Sequence, residues 1–437
     1  MRFKFLLLSV LIFFSIPAAA ETNRDAVSSN ELPAGDPFGE AEAIISSSSN
    51  AEDTIGEKAD TVSSDILSGY LESRALLLHS APKQEWLFQN ANKLKLKLDK
   101  SFNRINFHSE INFSYYAGHT RLCLLEYLPQ KQVKALSNLF GTNFSADVYN
   151  YNYNNRITVF RAYGVITLPR VSFFIGRQPV TCGTGYVWNP VDPVNKKDML
   201  DPDYELPPLD ALRVMLPLPA VKGELNCAYG FRNNFKDGEF LAFIRAHAWL
   251  DWHLVYAYYN YHKTDFLTGL TTSGKRSLIG AAFAGQAGEV GIHGEAAYHT
   301  GIKKKATAYF SWLAGFDYTF TFQNRIMAEF YRNDSGSKNS QQYTLQSWLS
   351  YINMEQGCLG KNYLYLSSTQ ILFDITELSL SALINLSDSS YCLMPQYKIM
   401  ALDQLDILLR CMIMDGSKGS EFAAVNESGE LRINFYF

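Results

Sequence analysis

The chain has 437 residues, 39 basic and 43 acidic, for a net charge of −4; apolar residues make up 47% and aromatics 14%, while the 19% charged falls below the roughly 25% of ordinary domains. There is no basic excess for nucleic acid, and a mean hydropathy of −0.12 without a long apolar run beyond the N-terminus excludes a polytopic helical membrane protein. The apolar content also excludes disorder over most of the length, which leaves a large secreted β protein or an outer-membrane barrel.

Arg2 and Lys4 precede an apolar stretch from Phe5 to Ile16, then Pro17 and the small residues Ala18, Ala19 and Ala20. A charged start, an apolar centre and an A-x-A site read as a secretory signal peptide, residues 1–20, cut before Glu21. Residues 21–65 hold 11 acidic and 2 basic side chains, a net of −9, around the tract Ser46–Ser49. Such a segment cannot bury enough surface to fold alone. It reads as an acidic, Ser-rich periplasmic leader, partly disordered and extending to about residue 90, with a short helix expected from Ile66 to Leu78. Residues 66–437 carry +3, and 91–437 is the expected barrel.

From about residue 104 onward apolar and polar residues alternate with period two. Ile105, Phe107, Ile111, Phe113 and Tyr115 oppose Arg104, Asn106, His108, Glu110 and Asn112. Val290, Ile292, Ala296 and Tyr298 oppose Glu289, His293, Glu295 and His299. Phe310, Trp312, Phe316 and Tyr318 oppose Ser311 and Asp317, and Leu405, Ile407 and Leu409 oppose Asp406 and Arg410. Strands are expected near 104–116, 157–168, 170–177, 209–217, 221–230, 239–249, 251–261 and 277–286, then near 288–299, 307–320, 322–332, 361–373, 376–387, 390–400, 404–414 and 430–437.

A soluble sandwich alternates too, so connection lengths decide. Gaps after odd-numbered strands are long (117–156, 178–208, 231–238, 262–276, 300–306, 333–360 and 415–429; only 388–389 is short). Gaps after even-numbered strands run from one to about four residues. That is the topology of a transmembrane antiparallel β-barrel, with short periplasmic turns and longer outer loops. The fold class is all-β, with about 16 strands in a range of 14–18. Lys93–Asp99, which alternates Lys with Leu94, Leu96 and Leu98, is one candidate extra strand; Arg121–Leu128 and Val148–Tyr153 are others. Trp249, Trp252, Trp312, Tyr256 and Tyr258 suit an interfacial girdle.

If the apolar faces meet lipid, the opposite parity faces a pore. Arg161, Arg213 and Arg245 then point inward on one wall, and Glu289, His293, Glu295, Asp317 and Glu329 on another. Such a separation sets a transverse field for charged solutes; the plainer alternative is that these groups only hydrate the lumen. Arg177 is ambiguous in parity.

The second long gap and its flanks run Gly176-Arg177-Gln178, then Gly183-Thr184-Gly185, Trp188-Asn189-Pro190 and Asp192-Pro193-Val194-Asn195. Gly183 and Gly185 permit positive φ, and Pro190, Pro193, Pro202, Pro207 and Pro208 stiffen the excursion. Asp192, Lys196, Lys197, Asp198, Asp201, Asp203 and Glu205 give it charge. An ordered constriction and an external cap are both open readings. Segment 173–219 resembles the G-R-Q…W-G-x-G…W-N-P…D-x-x-N pattern of porin-like outer-membrane proteins, including alginate-export-like barrels, with Cys182 in place of a tryptophan. In that group the resemblance implies a loop that folds inward and narrows the channel. Leu431, Ile433, Phe435 and the terminal Phe437 resemble the last strand of Gram-negative outer-membrane proteins, which marks a chain for barrel assembly.

Enzyme signals are weak. His108-Ser109 puts its two side chains on opposite faces, and Glu289, His293, Glu295 and His299 share one face but need partners from other strands to hold a metal. No phosphate loop or C-x-x-C occurs, and no catalytic residue, metal or cofactor is expected. Cys227, Cys392 and Cys411 fall in strands; Cys123, Cys182 and Cys358 fall in loops, where one pair is the expected bridge.

The expectation is an outer-membrane porin-like channel for passive diffusion of small polar or charged solutes. Its alternative is a closed barrel whose large outer loops serve surface binding, adhesion or surface-polymer export. Expected partners are outer-membrane lipid, periplasmic chaperones, the barrel-assembly machinery and an unidentified small solute, with no nucleic acid, in a homotrimer or a monomer.

Overall fold

A computed structural model describes residues 67–80, 85–123, 128–140, 150–195, 197–201, 205–265, with the exception of 233–236, and 270–301, 308–352, 357–423 and 427–437. Strands β1 (Leu67–Ser80), β2 (Glu85–Phe102) and β3 (Ile105–Gly118) come first. Two short strands, β4 (Arg121–Cys123) and β5 (Asn150–Asn152), pair only with each other. Then follow β6 (Arg156–Leu168), β7 (Val171–Gln178), β8 (Leu209–Leu218), β9 (Gly223–Arg232), β10 (Asp237–His247), β11 (Asp251–Asp265) and β12 (Leu270–Ala287). The rest are β13 (Val290–Gly301), β14 (Tyr309–Thr319), β15 (Asn324–Asn333), β16 (Asn362–Leu372), β17 (Thr376–Asn385), β18 (Ser390–Leu402), β19 (Leu405–Asp415) and β20 (Ser428–Tyr436). Helices α1 (Gln130–Phe140) and α2 (Leu345–Ile352) sit in long connections.

Apart from β4 and β5, all strands form one 18-stranded antiparallel sheet, closed by pairing of β1 with β20. Closure leaves no edge, so every ladder has a partner on both sides. The count corrects the expected 16: the two additional strands are β1 and β2. The expected helix from Ile66 to Leu78 is strand β1 instead, and the barrel begins at Leu67 rather than at residue 91. Helix-like spacing of Leu67, Tyr70 and Leu71 masked the alternation, because Leu76 and Leu78 share the inward parity of Tyr70, Glu72 and Arg74. Lys93–Asp99 lies within β2.

The connections 103–104, 169–170, 219–222, 248–250, 288–289, 320–323, 373–375 and 403–404 gather at one rim. Asn103, at φ 56°, and Gly288, at φ 69°, turn the chain in two residues. The opposite rim carries the long connections 119–155, 179–208, 334–361 and 416–427. Outward side chains are large and exposed, among them Leu71, Phe107, Ile157, Leu254, Ile279, Phe316, Leu380 and Ile433. Trp252 and Tyr256 lie on this face and Trp249 in a turn of the short-turn rim. With lipid against this outside, the buried apolar clusters lie inside the barrel, and a loop is what they pack against.

Candidate functional site

The loop 179–208 builds its own core before it meets the wall. Asp192 is buried and accepts from Thr181 Oγ1 at 2.9 Å, Cys182 N at 3.1 Å, and the N–H groups of Val194 and Asn195, both at 3.0 Å. Burial pushes its carboxyl up, against the pull of these donors. With Asn195 Nδ2 at 3.3 Å, five donors on one short side chain fold the chain into a compact turn without any regular ladder.

Two inward carboxylates then fasten that turn. Glu295, on β13, accepts from the backbone N–H of Thr184, of Gly185 at 2.6 Å and of Val191 at 3.2 Å. Glu329, on β15, accepts from three consecutive N–H groups: Tyr186 at 2.6 Å, Val187 at 2.9 Å and Trp188 at 3.2 Å. Nε2 of His293 lies 2.8 Å from the same carboxylate. Consecutive N–H groups aimed at one anion make a strong, charge-assisted grip. Lys197 donates to the carbonyls of Gly185 and Tyr186. Gly183 has φ 97°, and a Cβ there would lie 2.5 Å from Glu295 Oε1, so glycine lets the backbone reach the anchor.

Around these anchors half of the lumen is dry. Val180, Cys182 and Val191 pack on inward residues of β8 to β13, including Ala211, Leu241, Val255, Ala257, Leu278 and Ala297. Val187, Trp188 and Met199 pack on Leu313, Tyr331, Tyr363 and Tyr365 further round. The Trp188 ring stacks on Tyr331 with centroids 5.0 Å apart and planes 16° from parallel. Each large side chain so buried contributes about 1.5–3 kcal/mol. At the long-loop rim, α1 and α2 join through Leu136, Trp348 and Leu349. Phe422, of connection 416–427, enters the cluster that holds Trp188. Its neighbour Glu421 accepts from Tyr363 Oη at 2.5 Å, Asn385 Nδ2 at 2.7 Å and Leu359 N at 3.1 Å.

The other half is ionic. From the dry side the loop crosses to β1, β2, β19 and β20, where Arg410 Nη1 lies 3.1 Å and Arg432 Nη2 3.8 Å from Asp201. Burial acts to raise the Asp201 carboxyl, but Arg74, Arg432 and Arg410 outweigh it and hold it low. Glu205 accepts from Tyr70 Oη at 2.6 Å and pairs with Lys95, and with Lys93 at 3.5 Å. Burial is likewise outweighed there, and the carboxyl is held below its ordinary value. Lys95 and Arg161 grip Glu110 at 2.9 and 3.0 Å. His108 sits between Asp99 and Glu110, with its two ring nitrogens 2.5 and 2.9 Å away. A bulge opposite Glu110 and Ile111 turns Phe160 inward with Arg161, under Lys95 at 4.3 Å from the ring centroid. Arg213 lies 3.8 Å over the Phe174 ring, with Glu224 as the carboxylate that acts on it. Some of these groups keep solvent access, 26% for the Arg74 side chain, 21% for Lys93 and 32% for Glu205, while Lys95, Glu110 and Arg410 are buried.

Of the residues singled out by parity, Arg161, Arg213, Arg245, His293, Glu295, Asp317 and Glu329 carry side chains on the inner face. Glu295, His293 and Glu329 meet the loop rather than open space. Asp317 pairs with Arg325 at 3.4 Å and Arg245 with Asp251 at 3.7 Å, both near the short-turn rim. The expectation for Glu289 is corrected: it is exposed in turn 288–289, where Tyr318 Oη donates to it at 3.0 Å. Arg177 faces outward, paired with Asp210. Among the loop charges, Asp192 and Lys197 serve the loop itself, Asp198 accepts from Leu200 N at 3.0 Å, Asp201 faces the arginines, and Lys196 and Asp203 lie outside the described residues. The expected loop bridge is corrected as well: Cys123, Cys182 and Cys358 are free and belong to three different apolar clusters. Among the described residues no group of three or more His, Cys, Asp or Glu could hold a metal ion. Parity alone did not single out Arg74, Lys93, Lys95, Arg410, Arg432, Glu110 and Glu205 as a site; the Lys-Leu alternation of 93–98 was its readable trace.

No protein-family model and no curated protein matches the chain. Solved structures do. It is similar to Pseudomonas aeruginosa OccK2 (OpdF) in complex with glucuronate, with TM-score 0.51 and 9% identity over 85% of this chain and 96% of that one. It is similar to Acinetobacter baumannii OccAB2, with TM-score 0.50 and 10% identity over 85% and 98%. At such identities the likeness is one of fold. The chain has the closed barrel of Gram-negative outer-membrane porin-like proteins.

Proposed function

We propose that this protein is an outer-membrane channel for passive diffusion of small polar or charged solutes, exported by residues 1–20 and assembled as a barrel from Leu67. One observation carries the reading. Loop 179–208 packs on the apolar side of the lumen and leaves, beside the opposite wall, an ionic strip in which Arg74, Lys93, Asp201 and Glu205 keep solvent access while Lys95, Glu110, Arg410 and Glu430 are buried. Arg74, Lys93, Lys95, Arg161, Arg213, Arg410 and Arg432 face Glu110, Asp201, Glu205 and Glu430 there. Seven basic side chains face four carboxylates there, so positive charge is in excess, and Arg213, stacked on Phe174 with Glu224 nearby, belongs to that excess. The strip therefore favours anions, a preference that suits solutes bearing a carboxylate. The glucuronate bound in one neighbour of similar fold is such a solute.

Planar-bilayer recording on purified, refolded protein tests this. Wild-type protein conducts and prefers anions. Arg213→Gln lowers the anion-to-cation permeability ratio by a factor of about 7, since one charge at ~7 Å in water contributes about 0.6 kcal/mol, with opposite sign for the anion and the cation. Arg161→Gln has a smaller effect on selectivity and a larger one on stability, because it strips Glu110 of a partner. Protein that carries no current in any salt would sink the channel reading.

A further inference from the structure

The outer mouth holds aromatic rings and a cation that the ionic strip does not use. Alternation along β3 and β6 turns Ser114, Tyr116 and Arg156 inward, while Phe113, Tyr115 and Ile157 face lipid. Strand register sets the inward residues in two rows. Arg432 pairs with Arg74, Arg74 with Ala91, and Ala91 with Tyr116. In the next inward row Lys93 pairs with Ser114, and Ser114 with Arg156. Tyr116 and Arg156 are therefore diagonal neighbours on adjacent strands, near enough for two long side chains to share a ligand. Ala91 and Ser114, which separate the cations from the ring, are small and leave room at the wall.

Tyr153, just before β6, closes the top of this space. Its N–H donates to Thr120 O at 2.8 Å, and Asn155 Oδ1 accepts from Tyr116 N at 2.8 Å, so the segment is tied to β3. The Tyr153 ring centroid lies 5.3 Å from that of Tyr116, with the planes at 46°, and 4.8 Å from that of Tyr151, edge-on at 78°. Burial pushes the Tyr153 hydroxyl up while Arg74 draws it down, so Tyr153 and Arg74 look onto the same opening. Tyr151 is 47% exposed, and Asn152, Asn154 and Arg156 of the same segment are exposed. Arg74 is held by Glu430 at 2.9 Å. Arg156 has no hydrogen-bond or ion-pair partner among the described residues.

A free cation, aromatic rings and exposed amides together suit one kind of solute. A guanidinium pairs with a carboxylate, the C–H face of a pyranose lies on a phenol ring, and its hydroxyls meet the amide and hydroxyl groups of Asn152, Asn154 and Ser114. A flat aromatic acid would use the cation and the rings but gain nothing from those polar groups. We propose, resting on the channel reading above, that this mouth site binds a sugar acid, a pyranose bearing one carboxylate. Arg156 takes the carboxylate, and Tyr116 and Tyr153 take the ring, before the solute passes to the ionic strip.

Full-length protein in detergent is titrated with glucuronate, glucose and benzoate by calorimetry, and saturation-transfer NMR reads which ligand protons touch the protein. Glucuronate binds, and glucose binds about tenfold more weakly for want of the charge. Benzoate binds no better than glucose. Arg156→Gln weakens glucuronate binding about tenfold, and Tyr116→Ala and Tyr153→Ala weaken it about fivefold each. Tyr116→Phe keeps it, because the ring and not the hydroxyl makes the contact. Tyr115→Ala, one residue away on the lipid side, leaves binding unchanged. Wild-type affinity in Arg156→Gln or in both Tyr→Ala variants overturns the site, as does benzoate bound as tightly as glucuronate, or an equal loss in Tyr115→Ala. Bilayer recordings on the same preparations keep the two readings apart. Binding without current refutes the channel and not the site; current without glucuronate binding refutes the site and not the channel.

Discussion

Glu329 binds backbone. Its carboxylate takes three consecutive N–H groups and His293, so its charge is used where it stands. Glu295 does the same for Thr184, Gly185 and Val191. Replacing Glu329 with Ala strands buried donors, and each unsatisfied group costs roughly 1–3 kcal/mol. The loop therefore leaves the wall at a cost of about 3 kcal/mol or more. Glu329→Ala is expected to raise single-channel conductance, make it noisier and lower the temperature at which the barrel loses its folded gel mobility. Unchanged conductance with lowered stability would show that the anchor does not set the pore. The inward parity of both glutamates was legible, because alternation along β13 and β15 shows it. Their role was not, since their donors come from an irregular loop whose backbone aims no period in the sequence records. Asp192 teaches the same lesson: in the sequence it is one charge among several, and in the fold it is the internal tie of residues 181–195.

At the scale of elements, two connections reach the lumen with opposite responses to pH. The arm of loop 179–208 that carries Asp201 and Glu205 is held by arginines and lysines, and both carboxyls sit below their ordinary values. A depressed carboxyl stabilises the fold above the ordinary carboxylate range, and that contribution is lost as pH falls through the lowered value. Connection 416–427 behaves in reverse. Burial pushes Glu421 up to about 7, so docking of its connection is strongest below the ordinary carboxylate value and weakens as pH rises through about 7. The loss is at most about 3 kcal/mol, from 1.36 kcal/mol per unit. Hydrogen exchange followed from pH 5 to pH 8.5 is expected to show faster opening at Leu359 and Phe422 at the upper end, after correction for intrinsic rates. Glu421→Gln removes that dependence; exchange rising equally in the variant would assign the effect elsewhere. A matching acid series below pH 4 is expected to loosen the residues around Asp201 first. The lengths of these connections were legible from the spacing of strands, as was the stiffness of 178–208 from its prolines. That the inner faces of β8 to β13 are apolar enough to dry one half of the barrel was visible only as alternation that weakened, for example at Leu241 to Ala246, and had no meaning until the loop supplied the other surface.

For the whole molecule the deciding feature is closure. The even count follows from chain direction: β1 rises from the short-turn rim, β2 descends, and β20 descends to end at Phe437. Because β2 and β20 run the same way, they cannot replace each other's antiparallel ladders if β1 is lost. Both would keep an unpaired edge in lipid, where every exposed backbone group costs several kcal/mol. The seam is finished by Gly69 N donating to Phe437 O at 2.8 Å and Phe437 N to Gly69 O at 3.0 Å. A Cβ on Gly69 would lie 3.0 Å from Cζ of the Phe437 ring and closer still to the Lys95 carbonyl, so the residue that meets the C-terminus has to be small. The terminal alternation of Leu431 to Phe437 was legible, but its partner was hidden in a segment that reads as helix. A chain lacking 67–80 behind an intact signal peptide is therefore expected to fail as a barrel: no protease-resistant, heat-modifiable species in outer-membrane fractions. A chain lacking only 21–65 should assemble with wild-type resistance and conductance. Gly69→Val tests the seam with a single side chain and should assemble more slowly and melt earlier. If deletion of 67–80 left a folded, conducting barrel, β1 would be an ornament and the seam would lie elsewhere.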